Sequence, residues 1–302
     1  MLECVLEYLK AQDVEYKENV KLGGISPIRI GGYAKIVILP RSIDELVNLL
    51  RFCGRKGLKV KIIGSMSNIL VDDMGYDGIL VKTDKLRGLE VIGNNFVAEC
   101  GVSLYRLAGI SSKCGFSGFE ELSGIPGRVG GAVYMNAGAY GREISDLVTE
   151  CIVYDIESSN VTCLKSADLA FSYRESSLRH NNFLLLSASF RLFNSSCEVV
   201  LNRMKECRQK RIASQPTNMP SLGSVFKRPD THTSAGELID KCGLRGFLIG
   251  GAAISEKHAG FIVNLGGATS GEVKALAALA ERSVYEKYGI RLQREIEFLD
   301  IR

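Results

Sequence analysis

Residues 123–141 read SGIPGRVGGAVYMNAGAYG, and this stretch contains six glycines among mostly small neighbours. A run of this kind removes the Cβ atoms that would hold a backbone away from a flat or phosphorylated ligand, and it allows positive φ where the chain must curl. A glycine-rich turn cluster beneath a domain interface is the competing reading. Working outward, the run sits between two segments of mixed helix and strand character. On its N-terminal side, AKIVILP (34–40) is β-like, Ser42-Ile-Asp-Glu45 offers a capping box, Leu46, Leu49, Leu50 and Cys53 recur at helical spacing, and LKVKIIG (58–64) returns to strand. Residues 34–64 therefore predict a βαβ-type unit, preceded by a short amphipathic helix near 2–12.

VAECG predicts a strand, SLYRLAGISSKCG a capped helix, and CIVYDI (151–156) and NFLLLSASFRLF (182–193) two further strands. Ser195-Ser-Cys-Glu198 is a second capping box, opening a helix to about Ala213. Gln215–Pro220 holds two prolines and suggests a hinge. A long helix is expected near 271–288, amphipathic through Val273, Leu276, Ala280 and Val284, followed by a terminal strand in IRLQREIEFLD. The expected class is α+β, with domains at 1–85, 86–195 and 196–302.

Composition narrows the function. The 302 residues are 46% hydrophobic and 24% charged, as in ordinary folded enzymes, and the net charge of +4 is spread without a basic stripe. Nucleic acid is a weak candidate partner, while small anionic ligands suit the slight positive balance. The opening MLECVLEYLK is charged within its apolar pattern and no bilayer-length apolar run occurs, so no membrane association is expected. Nine cysteines, an odd number without a CxxC pair, fit reduced thiols and a cytoplasmic location. His180, His232 and His258 lack neighbours at metal-ligand spacing, so no metal is expected.

Shorter motifs are ambiguous alone. Gly64-Ser-Met-Ser-Asn68 follows a strand and can turn N–H groups and hydroxyls toward a diphosphate, although taken alone a plain turn explains it better. Tyr173-Arg174-Glu-Ser-Ser177, Ser221-Leu-Gly-Ser224-Val-Phe-Lys227-Arg228-Pro229, and Glu295 on the terminal strand each have bland readings as ion pair, turn or exposed acid.

Together and in this order, these segments resemble the UDP-N-acetylenolpyruvoylglucosamine reductase (UDP-N-acetylmuramate dehydrogenase) family. The resemblance covers nearly the whole chain, from SPIRIGGYAKIVILP (26–40) through GSMSNILV, the glycine run, YRESS, GSVFKRP, AGELIDKCGLRG and SEKHAGFIVN to GIRLQREIE. It implies a vanillyl-alcohol-oxidase type flavin-binding fold of two subdomains plus a C-terminal substrate domain. It further implies FAD as cofactor, NADPH as co-substrate, and a UDP-sugar enolpyruvyl ether as the molecule reduced; a monomer is expected.

By motif, the catalytic residues implied are Ser224 as proton donor, Arg174 as binder of the enolpyruvyl carboxylate, and Glu295 beside it. FAD contacts are implied for Gly64, Ser65, Ser67, Asn68, Gly124, Ile125, Pro126, Gly127, Gly130, Gly131, Ala132, Asn136, Ala137 and Gly138. Substrate contacts are implied for Tyr173, Lys227 and Arg228. Met66 stands where the family usually has another glycine, which bears on how open the flavin loop is. Arg228 stands where asparagine is frequent. The short spacing from Arg174 to Ser224 matches the branch lacking an extra substrate-closing loop. Covalent flavin members of the wider fold use a histidine in the first glycine loop, and none occurs before His180, so noncovalent FAD is expected. Two alternatives are another flavoprotein oxidase of this fold and a noncatalytic nucleotide-binding module.

Overall fold

The computed structural model describes residues 2–230 and 233–300; His232 lies outside the described residues. The chain forms two compact units. One comprises Met1–Glu18, Ile36–Gly64 and Ile79–Gln209, and the other Asn19–Lys35, Ser65–Gly78 and Lys210–Arg302. Residues 19–35 and 65–78 thus pack with the C-terminal part of the chain.

The first unit has two apolar cores. Around the first lie α1 (Leu2–Ala11) and α2 (Ile43–Arg55). The spacing that predicts α2 is the spacing that is buried: Leu46, Leu49, Leu50 and Cys53 face Ile36, Ile38, Ile79 and Val81, and Tyr8 stacks on Phe52 at 4.1 Å. Ser42 accepts the Glu45 N–H at 3.1 Å, but the Glu45 carboxylate accepts from the Arg41 N–H at 2.8 Å, one residue before the expected return bond. Strand Val60–Ile63 runs parallel to Ile79–Lys82, and in the sheet order the strand 76–82 lies between 60–63 and 33–38. The βαβ expectation is right in its elements and wrong if read as pairing of its two strands.

The second core is built on an antiparallel five-stranded sheet in the order Asn160–Lys165, Val148–Asp155, Phe183–Arg191, Asn95–Glu99, Leu89–Ile92. Alternation along Phe183–Arg191 buries Leu186, Ala188 and Phe190 on one face. Against it pack α3 (Leu104–Lys113), capped by Ser103 on the Arg106 N–H at 3.2 Å, and α4 (Val129–Tyr134). The helix α5 (Cys197–Ser214) begins one residue later than its expected cap: Ser196 accepts from Val199, while the Ser195 N–H is taken by Gly115.

In the second unit, an antiparallel sheet runs Ser221–Ser224, Phe261–Asn264, Ala252–Ile254, Leu248–Ile249. The helices α6 (Ala235–Lys241) and α7 (Ser270–Tyr288) share its core. Val273, Leu276, Ala280 and Val284 of α7 are all buried. Thr269 and Glu272 close a reciprocal capping box, and Gly289 at φ 69 ends the helix. Asn264, 8% exposed, donates to the Ile28 carbonyl at 2.9 Å and accepts from Gly266 and Ala268, tying the segment 26–30 to this sheet. No described helix is long and apolar enough to cross a membrane. Among the described residues no group of three or more His, Cys, Asp or Glu could hold a metal ion.

Candidate active site

Ser224 ends the strand Ser221–Ser224, half-buried. Pairing with Phe261–Asn264 slips between Ser221 and Ser224, and Gly223 takes φ 82 there, a bulge that redirects the strand at the serine. The next residue, Val225, is buried and accepts from the Glu295 N–H at 2.8 Å; Lys227 donates its N–H to Gln293 at 2.8 Å. Residues 293–295 therefore run beside 225–227. From Glu297 the chain changes partner, with the Glu297 N–H on the Asn68 carbonyl at 2.9 Å and Glu297–Leu299 pairing in parallel with Ile69–Val71. The expected terminal strand is thus regular only over Glu297–Leu299, because the segment switches edges at Ile296. Asn68 seals the switch by donating its amide to the Glu295 carbonyl at 2.8 Å. Three motifs far apart in sequence, around Asn68, Ser224 and Glu295, are brought into one hydrogen-bonded frame. Met66, two residues before Asn68, is 2% exposed with φ 56.

In the other unit, the run 123–141 folds as a turn, then α4, then a tight hairpin pairing Gly138 with Glu143. Its glycines differ in purpose. A Cβ at Gly138 would meet the Glu143 side chain at 2.8 Å, the Arg142 carbonyl at 2.9 Å and Arg174 at 3.3 Å, so glycine is needed there for packing, while one at Gly130 would press on Cys100 at 3.2 Å. A Cβ at Gly131 would meet nothing within 4 Å, and Gly131 is exposed. One at Gly64 would touch only Arg128, at 3.9 Å. Arg128 is fixed by an ion pair to Asp84 at 2.7 Å and by the Gly101 carbonyl at 2.7 Å.

Arg174 occupies a left-handed turn position, φ 57, between Ser172 and Glu175, which pair across it. Its guanidinium, only 16% exposed, donates to the Gly138 carbonyl at 2.9 Å and lies over the Tyr173 ring at 4.8 Å. Tyr173 is exposed, Lys227 half-buried and Arg228 exposed.

A family model described as an FAD binding domain matches residues 34–161, and one described as the C-terminal domain of UDP-N-acetylenolpyruvoylglucosamine reductase matches 215–299. The UDP-N-acetylenolpyruvoylglucosamine reductase of Caldicellulosiruptor bescii is 43% identical over 97% of this chain and 93% of its own length. The chain belongs to the UDP-N-acetylenolpyruvoylglucosamine reductase family. That of Streptococcus pneumoniae is 38% identical over 98% of this chain and 97% of its own. The crystal structure of the Thermus caldophilus reductase superposes with a TM-score of 0.79 at 31% identity, covering 94% of this chain and 98% of that one.

The FAD-domain match implies a flavin. At Gly131 and Gly64 no side chain stands between the backbone and a close-lying ligand, and there is room for one. The residues present fit such a group. Ser224 and Glu295 fall inside the C-terminal match, and both glycine segments inside the FAD-domain match, whereas Arg174 lies outside both. Asn136 is 1% exposed and its amide is committed to protein groups: it donates to Glu143 at 2.8 Å and Ser172 at 2.9 Å and accepts from Ser145 at 3.0 Å. Sequence reading missed Glu143 and Asn264; the Tyr140-Gly141 turn signal just before Glu143 marks the hairpin but not the acid's partners.

Proposed function

We propose that the chain reduces the enolpyruvyl ether of UDP-N-acetylglucosamine to UDP-N-acetylmuramate, a step of peptidoglycan precursor synthesis, in the cytoplasm and as a monomer. It would do so as a subdomain pair for FAD, 1–85 and 86–195, with a substrate domain at 196–302, although residues 19–35 and 65–78 pack with the C-terminal part and 196–209 with the first unit. FAD, held noncovalently and reduced by NADPH, supplies the hydride to the substrate when bound. Gly64, Ser65, Ser67 and Asn68, then Gly124–Gly127, Gly130–Ala132, Ala137 and Gly138, would line its site; the N–H groups of Ile125, Gly127, Gly130, Ala132 and Ala137 donate to protein carbonyls and Pro126 has none, so these residues would act by their small size and by shaping the loop. Asn136 would serve the same ligand through the loop it fixes.

Arg174 would bind the substrate carboxylate, placing a fixed guanidinium where negative charge develops. Its left-handed backbone and the Gly138 carbonyl bond support that role, because strain and immobilisation of this kind persist where the surroundings over-determine them. Glu295 would hydrogen-bond the same carboxylate. Ser224 would give its proton to the carbon next to it, a task in which a weak acid depends on placement. Tyr173, Lys227 and Arg228 would contact the UDP-sugar.

The observation that carries this reading is the frame in which Val225 binds Glu295 and Asn68 binds Glu295, fixing the serine strand, the acid and the cofactor loop together. The test is an absorbance scan of purified protein followed by NADPH oxidation with the enolpyruvyl UDP-sugar. A flavin spectrum, acid-released colour and substrate-dependent NADPH oxidation are expected. A flavoprotein that instead consumes oxygen with alcohols, or a colourless protein that takes up no FAD, contradicts it.

A further inference from the structure

We propose that Glu143 is a positioning residue that holds Arg174 at both ends, an inference that rests on Arg174 being the carboxylate binder. One Glu143 oxygen lies 3.5 Å from the Arg174 guanidinium. The other accepts from the Asn136 amide at 2.8 Å. That amide also donates to the Ser172 carbonyl at 2.9 Å, and Ser172 closes the two-residue turn on whose second position Arg174 sits. The same carboxylate therefore registers the head of the arginine directly and its backbone through Asn136. The hairpin supplies the rest, since Arg174 also bonds the Gly138 carbonyl at 2.9 Å and reaches that of Asn136 at 3.4 Å.

Two features argue against incidental ion pairing. Gly138 is the cross-strand partner of Glu143, and any Cβ there would lie 2.8 Å from the Glu143 side chain, 2.9 Å from the Arg142 carbonyl and 3.3 Å from the guanidinium, so the glycine admits the hairpin backbone and both side chains at once. The Glu143–Arg174 separation is also long for a charge-assisted bond, while the Glu143–Asn136 bond is short. Glu143 thus steers the guanidinium through a contact weak enough for an incoming anion to compete with it. Removing the steering group misaligns the arginine without removing its charge, and small misplacements of a reacting constellation cost about a hundredfold in rate.

The experiment is stopped-flow on the holoenzyme, following flavin reduction by NADPH and then flavin reoxidation by the enolpyruvyl UDP-sugar, for Glu143→Ala, Glu143→Gln and, as reference, Arg174→Lys. Glu143→Gln keeps an oxygen for Asn136 and guards against misfolding of the alanine variant. Both Glu143 variants are expected to slow reoxidation about tenfold to a hundredfold with the substrate KM not raised and flavin reduction unchanged. Wild-type reoxidation in Glu143→Gln beside a slow Arg174→Lys overturns the inference and leaves the proposed function standing. Wild-type reoxidation in all three removes Arg174 from the chemistry and the inference with it. Equal slowing of both half-reactions marks Glu143 as structural and also overturns it.

Discussion

Replacing Met66 by glycine separates two effects of the residue that stands in the loop 64–68. An L-residue in the left-handed region costs roughly 1–2 kcal/mol, and glycine relieves that cost at φ 56. Against this, Met66 is 2% exposed, and truncating a buried methionine costs about 2–5 kcal/mol through lost contacts and the cavity left behind. The loss of packing outweighs the relief of backbone strain, so Met66→Gly is expected to destabilise by about 2 kcal/mol, within roughly 0–4 kcal/mol. The backbone already adopts the conformation glycine favours and the methionine side chain is turned into protein. The loop should therefore present the same N–H groups, and FAD affinity should change by less than about tenfold. Urea unfolding of the apoprotein, followed by circular dichroism, reads the first quantity, and quenching of flavin fluorescence on titration reads the second. A stabilised variant, or a change in FAD affinity well beyond tenfold at unaltered stability, would refute the reasoning.

Further outcomes follow from single contacts. Asp73 accepts from the Ser270 N–H at 2.9 Å and from its hydroxyl at 2.7 Å at the first turn of α7, so Asp73→Ala should lower the urea midpoint by the equivalent of about 1 kcal/mol, a modest value because Asp73 is exposed. Leu276 is 0% exposed in the second unit's core, and Leu276→Ala should cost about 2–5 kcal/mol. Burial holds the His258 imidazole below its ordinary value, with Nδ1 accepting from Gly260 at 3.1 Å. The folded state then takes up its proton later than the unfolded state as pH falls. Its contribution is present above about 6.5 and is lost as pH drops through the lower folded value. A stability profile from pH 7.5 to 5 should slope less for His258→Gln; an identical slope would remove His258 from the linkage.

Much of the fold was legible because periodicity and caps are local. Leu46, Leu49, Leu50 and Cys53 are buried as their spacing implies, and α7 spans Ser270–Tyr288 where a helix is expected near 271–288. Non-local pairing was not legible. Nothing in LKVKIIG says that the strand 76–82 inserts beside it, and nothing in IRLQREIEFLD says that Ile296 marks a change of partner. The cap frame also shifts by one residue: Ser196, not Ser195, accepts from the Val199 N–H, while the Ser195 N–H donates to the Gly115 carbonyl. For the candidate site, motif order proposes Ser224, Arg174 and Glu295 but says nothing of the groups beside them, Val225, Asn68, Glu143 and Asn136, which non-local folding supplies. The glycine run shows the limit most clearly: Gly130 and Gly131 are adjacent and alike in sequence, yet one packs tightly on Cys100 and the other faces open space.

The decisive measurement is the rate of each half-reaction in Ser224→Ala. NADPH should bleach the flavin at the wild-type rate, and the enolpyruvyl UDP-sugar should restore its colour at least about a hundredfold more slowly, as expected when a positioned proton donor is lost. Restoration at the wild-type rate would contradict the assignment of the serine as proton donor. Loss of bleaching instead would place Ser224 in the flavin site rather than at the substrate carbon.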